Sequence, residues 1–187
     1  MIAKLILASG GIGVSLGTDR AEDSGGFKMD QRKVDDHILL VPYYPNEDIA
    51  IAWYQDKELC RQVDNIDHVY SRDRLRAMYD FLSSHGECFY IQYKGKLIGD
   101  VSLRDNSEIA IVICREYQNR HIGRKCVWNM IELAKEKGMR QVRANIYAFN
   151  KQSQRMFWSI GFRPAEDEWY VYNIEQLQEK EIDLENN

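Results

Sequence analysis

The sequence has no apolar run approaching the roughly 18 residues that a membrane-spanning helix requires, so no membrane partner is expected. Its first residues are apolar, but no basic segment of the secretory-signal kind accompanies them, and the expected location is cytoplasmic. Cysteine is sparse. Cys60, Cys88, Cys114 and Cys126 form no C-x-x-C pair, and two of them sit inside apolar patterns. A disulfide scaffold is excluded, and reduced core thiols are the reading. There are only 3 prolines, which excludes a proline-rich chain. Basic residues form no long stripe, and the formal net charge is -4, so nucleic acid is not an expected partner. No metal site is expected. What remains is a globular composition, 44% hydrophobic and 29% charged. Its 187 residues suit one domain that buries a core without staples.

The chain is organised around residues 114 to 162. An apolar run, Ile109 to Cys114, is followed by the polar stretch Arg115 to His121. An amphipathic pattern then runs from about Ile122 to Lys137, with Ile122, Val127, Met130, Ile131 and Ala134 on one face and Gly138 past its end. The order is strand, turn, helix. A helix start of this kind offers unpaired N–H groups and the positive end of its dipole, and it suits a phosphate. The expected guest is the pyrophosphate of a nucleotide-bearing cofactor.

Residues 1 to 28 fit poorly with the rest of the chain and read as an N-terminal extension or linker. Ala8 to Gly17 resembles a dinucleotide-binding glycine turn, but Leu16 stands where the third glycine of G-x-G-x-x-G belongs, and no amphipathic helix comes after it. Residues 29 to 175 read as the domain, and the acidic stretch 176 to 187 as a tail. Within the domain, His37 to Val41 is a predicted strand. One helix is predicted from the cap Asn46 to about Cys60, and a second from the cap Ser71 to His85-Gly86. The polar loop Gln62 to Tyr70 between them suits a substrate mouth. Strands at Cys88–Tyr93, Leu97–Leu103 and Glu108–Cys114, joined by short turns, predict an antiparallel meander. Gln141 to Ala148 is a further strand, Asn150 caps a helix ending at Gly161, and Phe162 and Trp169 to Ile174 are late strands.

This order of elements resembles the GNAT superfamily of N-acetyltransferases, and two motifs agree. Gln118-Asn119-Arg120-His121-Ile122-Gly123 stands against the family's Q/R-x-x-G-x-G/A, with His121 in place of the first glycine. Asn150, Ser153 and Gly161-Phe162 match its N-x-x-A/S, helix, G-F pattern. Trp53-Tyr54-Gln55-Asp56, Ser153 and Phe157 are similar to the ribosomal-protein and aminoglycoside 6'-N-acetyltransferase branches. The resemblance implies an α+β fold, a central twisted, mostly antiparallel sheet flanked by helices. It also implies a splay between strands 4 and 5, counted from the His37–Val41 strand.

The resemblance further implies an acyltransferase that takes its acetyl group from acetyl-CoA. The pyrophosphate would sit on the N–H groups of His121, Ile122, Gly123 and Arg124, with Arg120, Arg124 or Lys125 adding charge. His121 is tolerable there if its φ is negative. Gln118, Ile113, Asn150, Ser153 and Phe157 complete the expected cofactor set, with the backbone near Ile113 pairing the pantetheine arm. The tyrosine that protonates the leaving thiolate in many members falls at Phe157; Tyr147 and Tyr170 are candidate stand-ins, and water is another. Glu108 ranks first as base and Asp100 second. Trp53, Tyr54, Asp64, Tyr70 and Tyr79 would form an acidic, aromatic acceptor site suited to a cation. The expected acceptor is a small aminoglycoside- or polyamine-like amine. A protein N-terminal amine and a non-catalytic CoA-binding module are the alternatives. Family members are often dimers, so a homodimer is an expected assembly.

Overall fold

The computed structural model describes residues 30–175; the expected extension at 1 to 28 and the tail at 176 to 187 lie outside the described residues. Five strands form one antiparallel sheet in the order β1 (Arg32–Lys33), β2 (Ile38–Pro42), β3 (Gly86–Tyr93), β4 (Lys96–Arg104) and β5 (Ile109–Ile113). A second sheet has the order β6 (Gln141–Asn145), β8 (Trp169–Asn173), β7 (Arg163–Pro164). The sheets touch at one parallel bridge, Glu108 to Arg143, closed by the Arg143 N–H donating to Ser107 O at 2.9 Å. Beyond that bridge β5 and β6 are not paired, and the gap opens toward Ile113 and Asn145. This is the expected splay.

Helices cover both faces. α4 (Ile122–Glu136) and α5 (Lys151–Ile160) pack on the side chains of Val101, Leu103, Ile109, Ile111, Ile113, Val142 and Ala144. α1 (Glu47–Trp53), α2 (Lys57–Asp64) and α3 (Arg72–Ser84) cover the opposite face, where Cys88, Tyr90 and Val112 lie. The two-residue alternation of a strand sorts β5 between the two cores: odd-numbered isoleucines toward α4, even-numbered residues toward α1–α3. Gly99 in β4 is needed for a close approach, because a Cβ there would meet Val112 O at 2.0 Å.

The predicted single helix from Asn46 to Cys60 is two helices. Asp56 takes an extended backbone and its carboxylate accepts the N–H groups of Glu58 (2.9 Å) and Leu59 (3.2 Å), starting α2 afresh. Asn46 sits at the head of α1 but makes no capping bond. α2 runs to Asp64 and Asn65 ends it at φ 54, so the loop before α3 is shorter than the predicted 62–70. The predicted strand 141–148 stops at Asn145, where the Ile146 N–H turns to Glu168 O. Among the described residues no helix is long and apolar enough to cross a membrane, and no His/Cys/carboxylate group has a metal-binding arrangement.

Candidate active site

The start of α4 differs from those of α2, α3 and α5. Asp56, Ser71 and Asn150 cap the other three with side-chain oxygens. His121, at the head of α4, makes no capping bond, and the first turn of α4 contains no acid. The Lys125 N–H is already used by His121 O at 3.3 Å, so the donors left at this end belong to Ile122, Gly123 and Arg124. A cap contributes about 1 kcal/mol, and leaving this one unfilled suits an anionic guest. Beside it lies a cleft of about 430 Å³ lined by Asn119, His121, Arg124, Gln152, Arg155, Met156 and Ser159. Two arginines and no acid line it, which favours phosphate.

Of that lining, the sequence pointed only to His121 and Arg124. Gln152, Arg155, Met156 and Ser159 follow i, i+3, i+4, i+7 spacing on α5, one helix face. Gln152 Nε2 donates to Asn119 Oδ1 at 2.9 Å and ties α5 to the turn before α4.

His121 has φ 60, in the left-handed region, and so does Asn119 at φ 59. The expectation of a negative φ is therefore corrected. The turn needs left-handed backbone where the family motif has glycine, and histidine occupies it at a cost of about 1–2 kcal/mol. Lys125 is also corrected. One residue beyond Arg124 is a 100° rotation on a helix, and its Nζ pairs with Asp35 Oδ2 at 2.6 Å, away from the cleft. Arg120 lies over the Tyr117 ring at 5.2 Å. Arg124 reaches back to Ser159 O at 3.3 Å.

Gln118 Nε2 donates to Ile113 O at 2.8 Å and fixes the end of β5. Cys114 N–H donates to Ile98 O and Arg104 N–H to Glu108 O, so even-numbered residues of β5 bond β4. In an antiparallel ladder the odd-numbered residues then direct their backbone groups outward, and at Ile111 and Ile113 outward means the gap. Asn150 is buried and its Oδ1 accepts the Ser153 N–H at 3.1 Å. Ile122 and Ser153 are buried at the starts of α4 and α5. Phe157 stands in the dry core, edge-on to Phe162 at 4.9 Å, on the face of α5 away from the cleft. The structure does not bring its ring together with the cleft residues.

Asp100 and Glu108 both lie on the α1–α3 face, in different surroundings. Asp100 is buried; its Oδ2 accepts the Tyr79 hydroxyl at 2.8 Å and the Tyr54 hydroxyl at 3.0 Å. Neither partner is a cation. Burial pushes its carboxyl up to about 7, partly offset by the two hydroxyls. Glu108 is paired with Arg104 at 2.7 Å, at the closed end of the splay beside Arg143. Burial raises its pKa, and Arg104, Asn106 and Arg143 pull the other way. That position makes Glu108 part of the clasp joining the two sheets.

The predicted acceptor residues divide. Tyr54 and Tyr79 meet at Asp100, and burial holds both phenols well above their ordinary range. Trp53 packs edge-on to Tyr90 at 5.8 Å. Asp64 does not present a free carboxylate: Arg74 Nη2 holds its Oδ2 at 2.6 Å, and the Tyr70 hydroxyl donates to the same oxygen. The acidic loop thus loses its expected role, because its buried acid is already neutralised within the fold. Tyr147 lies near Asp64 and Glu168, and burial followed by these two acids raises its phenol to about 12.

The family model described as "Acetyltransferase (GNAT) domain" matches residues 37–163. Solved structures share the fold. A GNAT-family acetyltransferase from Bacillus anthracis is 15% identical, with a TM-score of 0.63, over 75% of this chain and 96% of that one. A microcin C7 self-immunity acetyltransferase, in complex with acetyl-CoA and AMP, is 18% identical with a TM-score of 0.59, over 75% and 94%. A Salmonella typhimurium acetyltransferase that modifies the N-terminal serine of ribosomal protein L7/L12 is 13% identical with a TM-score of 0.59, over 78% and 99%.

Proposed function

The chain belongs to the GNAT family of acetyltransferases, with acetyl-CoA as co-substrate, and on that premise we propose that its acceptor is a small cationic amine, acetylated by direct attack. The pyrophosphate sits on the N–H groups of Ile122, Gly123 and Arg124, with Arg124 and Arg155 adding charge. The outward backbone groups of Ile111 and the N–H of Ile113 line the pantetheine arm, the Ile113 carbonyl being held by Gln118, and Asn150 and Ser153 border it. The unspent donors of α4 and the acid-free cleft support this fit.

Asp100 is the observation that carries the acceptor half of the reading. It is a buried carboxylate without a cation, one strand from the open gap, on the face opposite the α4–α5 core. Such a group is unfavourable for folding unless its charge is used. An ammonium arriving over β5 meets it, loses a proton to it, and attacks the thioester carbonyl as the neutral amine. The C–S bond then breaks and the thiolate is protonated, by water or by Tyr147, since position 157 supplies no hydroxyl.

Steady-state release of CoA thiol across a panel of small amines tests the proposal. Saturable, amine-dependent release is expected. Tight acetyl-CoA binding with no release on any amine would leave a non-catalytic CoA-binding module as the reading. Release only with peptide α-amines would move the acceptor to a protein N-terminus.

A further inference from the structure

The acceptor face holds more unused hydrogen-bonding capacity than Asp100. Among the described residues six polar side chains are buried, and Asp100, Ser102, Glu108 and Asn145 all lie around the junction of β4, β5 and β6. Glu108 has its charge matched by Arg104 through Oε2, although its Oε1 has no hydrogen-bond partner. Ser102 and Asn145 are each 2% exposed, and Ser102 Oγ and Asn145 Oδ1 have no hydrogen-bond partner. Buried polar atoms in native proteins are almost always paired.

Strand register brings the two into one row. Ser102 stands opposite Ala110 across β4 and β5. The parallel bridge from Glu108 to Arg143 sets Asn145, two residues on, level with Ala110 on the far side of the opening gap. All three share a face. Ser102 alternates with Val101 and Leu103, Ala110 with Ile109 and Ile111, and Asn145 follows Ala144; each of these neighbours belongs to the α4–α5 core. Ala110 stands between Ser102 and Asn145 in this row and, at 8%, is the most accessible residue of β5. Asp100 lies two residues from Ser102 on the same face, and its bonds to Tyr54 and Tyr79 use Oδ2 alone.

We propose that Ser102 and Asn145 determine acceptor specificity by binding a hydroxyl that the amine carries near its reacting nitrogen. This rests on the acetyl-transfer reading above and specifies a hydroxyl on the acceptor, whether that acceptor is a small amine or a peptide N-terminus. Two residues along a strand is about 6–7 Å. An amine at Asp100 and a hydroxyl at Ser102, on the next carbon or the one after, cover that reach with a hydrogen bond at each end. The ligand class is a hydroxylated amine, such as an amino sugar or an N-terminal serine. A polyamine, with bare methylenes at those positions, leaves both oxygens unpaired.

The test compares matched acceptors on the full-length enzyme: ethanolamine with n-propylamine, glucosamine with cyclohexylamine, and Ser-Ala-Ala with Ala-Ala-Ala. In the wild type, kcat/KM is expected to favour the hydroxylated member by about tenfold or more in at least one pair. Whichever pair shows it identifies the source as sugar-like or peptide. Ser102→Ala and Asn145→Ala should reduce that preference to about threefold or less, through KM, and Ser102→Ala should not lower Tm. A purely structural role would lower Tm and leave the preference intact. The proposal is overturned if the wild type shows no preference, or if the preference survives in both variants. Absence of turnover on every amine, with acetyl-CoA still bound, overturns the acetyl-transfer reading itself and is distinguishable from both.

Discussion

The two faces of β4 and β5 are built to different rules. Toward α4 and α5 every side chain of the two strands' central residues is apolar: Val101, Leu103, Ile109, Ile111 and Ile113. Toward α1–α3 the same strands carry Asp100, Ser102 and Glu108, set among Tyr54, Tyr79 and Tyr90. The first face spends all its groups on cohesion. The second keeps a carboxylate without a cation and, beside it, the unpartnered hydroxyls of Ser102 and Tyr90. Buried acids such as Asp64 and Glu108 are matched to arginines, and that contrast is what the proposal for Asp100 rests on.

Breaking the polar face should have the largest effect on rate. Asp100→Asn is expected to lower kcat/KM by about 10²–10⁴-fold with acetyl-CoA affinity unchanged by titration calorimetry. The same variant should show an opposite effect on stability. The Asp100 carboxyl is raised to about 7 from 3.8, so the fold favours its protonated form. The contribution of Asp100 to wild-type stability is therefore fully present below pH 4 and is lost as pH rises through 7, whereas the Asn variant is spared that loss. Urea unfolding at pH 5 and pH 8.5 would show the gap widening in favour of the variant at the higher pH.

On the apolar face, Ile111→Ala should cost about 2–5 kcal/mol of stability by urea denaturation, while the pH dependence of the remaining activity stays as in the wild type. Glu108→Gln should fall between the two cases. It weakens the clasp with Arg104 and costs about 1–3 kcal/mol, yet leaves the pH–rate profile unchanged; a shifted profile would restore Glu108 as the base. The smallest effect is expected at the head of α4. His121→Gly relieves a left-handed residue and should raise stability by at most about 1 kcal/mol, with acetyl-CoA bound at least as tightly.

Much of this contrast was legible in the chain. Apolar periodicity gave the meander and the long helix, and Asn150, Ser153 and Gly161-Phe162 fixed the second motif. The polar turn before Ile122 pointed to an anion site, which the uncapped start of α4 now supports physically. What was not legible depended on partners distant in sequence. Asp64 looked available until Arg74 and Tyr70 were seen on it, and Glu108 until Arg104 was. The break at Asp56 was hidden because an aspartate within a helical pattern reads as surface charge until its side chain is seen capping. Ser102 and Asn145 carry no local signal at all. Their shared row exists only through the register of three strands.

The central claim is that Asp100 titrates in the reaction. The direct measurement is the pH dependence of kcat/KM, for wild type and Asp100→Asn, with two acceptors of well-separated amine pKa. An enzyme limb near pH 7 that stays fixed when the acceptor changes, and disappears in Asp100→Asn, is the predicted result. A wild-type limb that moves with the acceptor alone, or that persists in the variant, would contradict it.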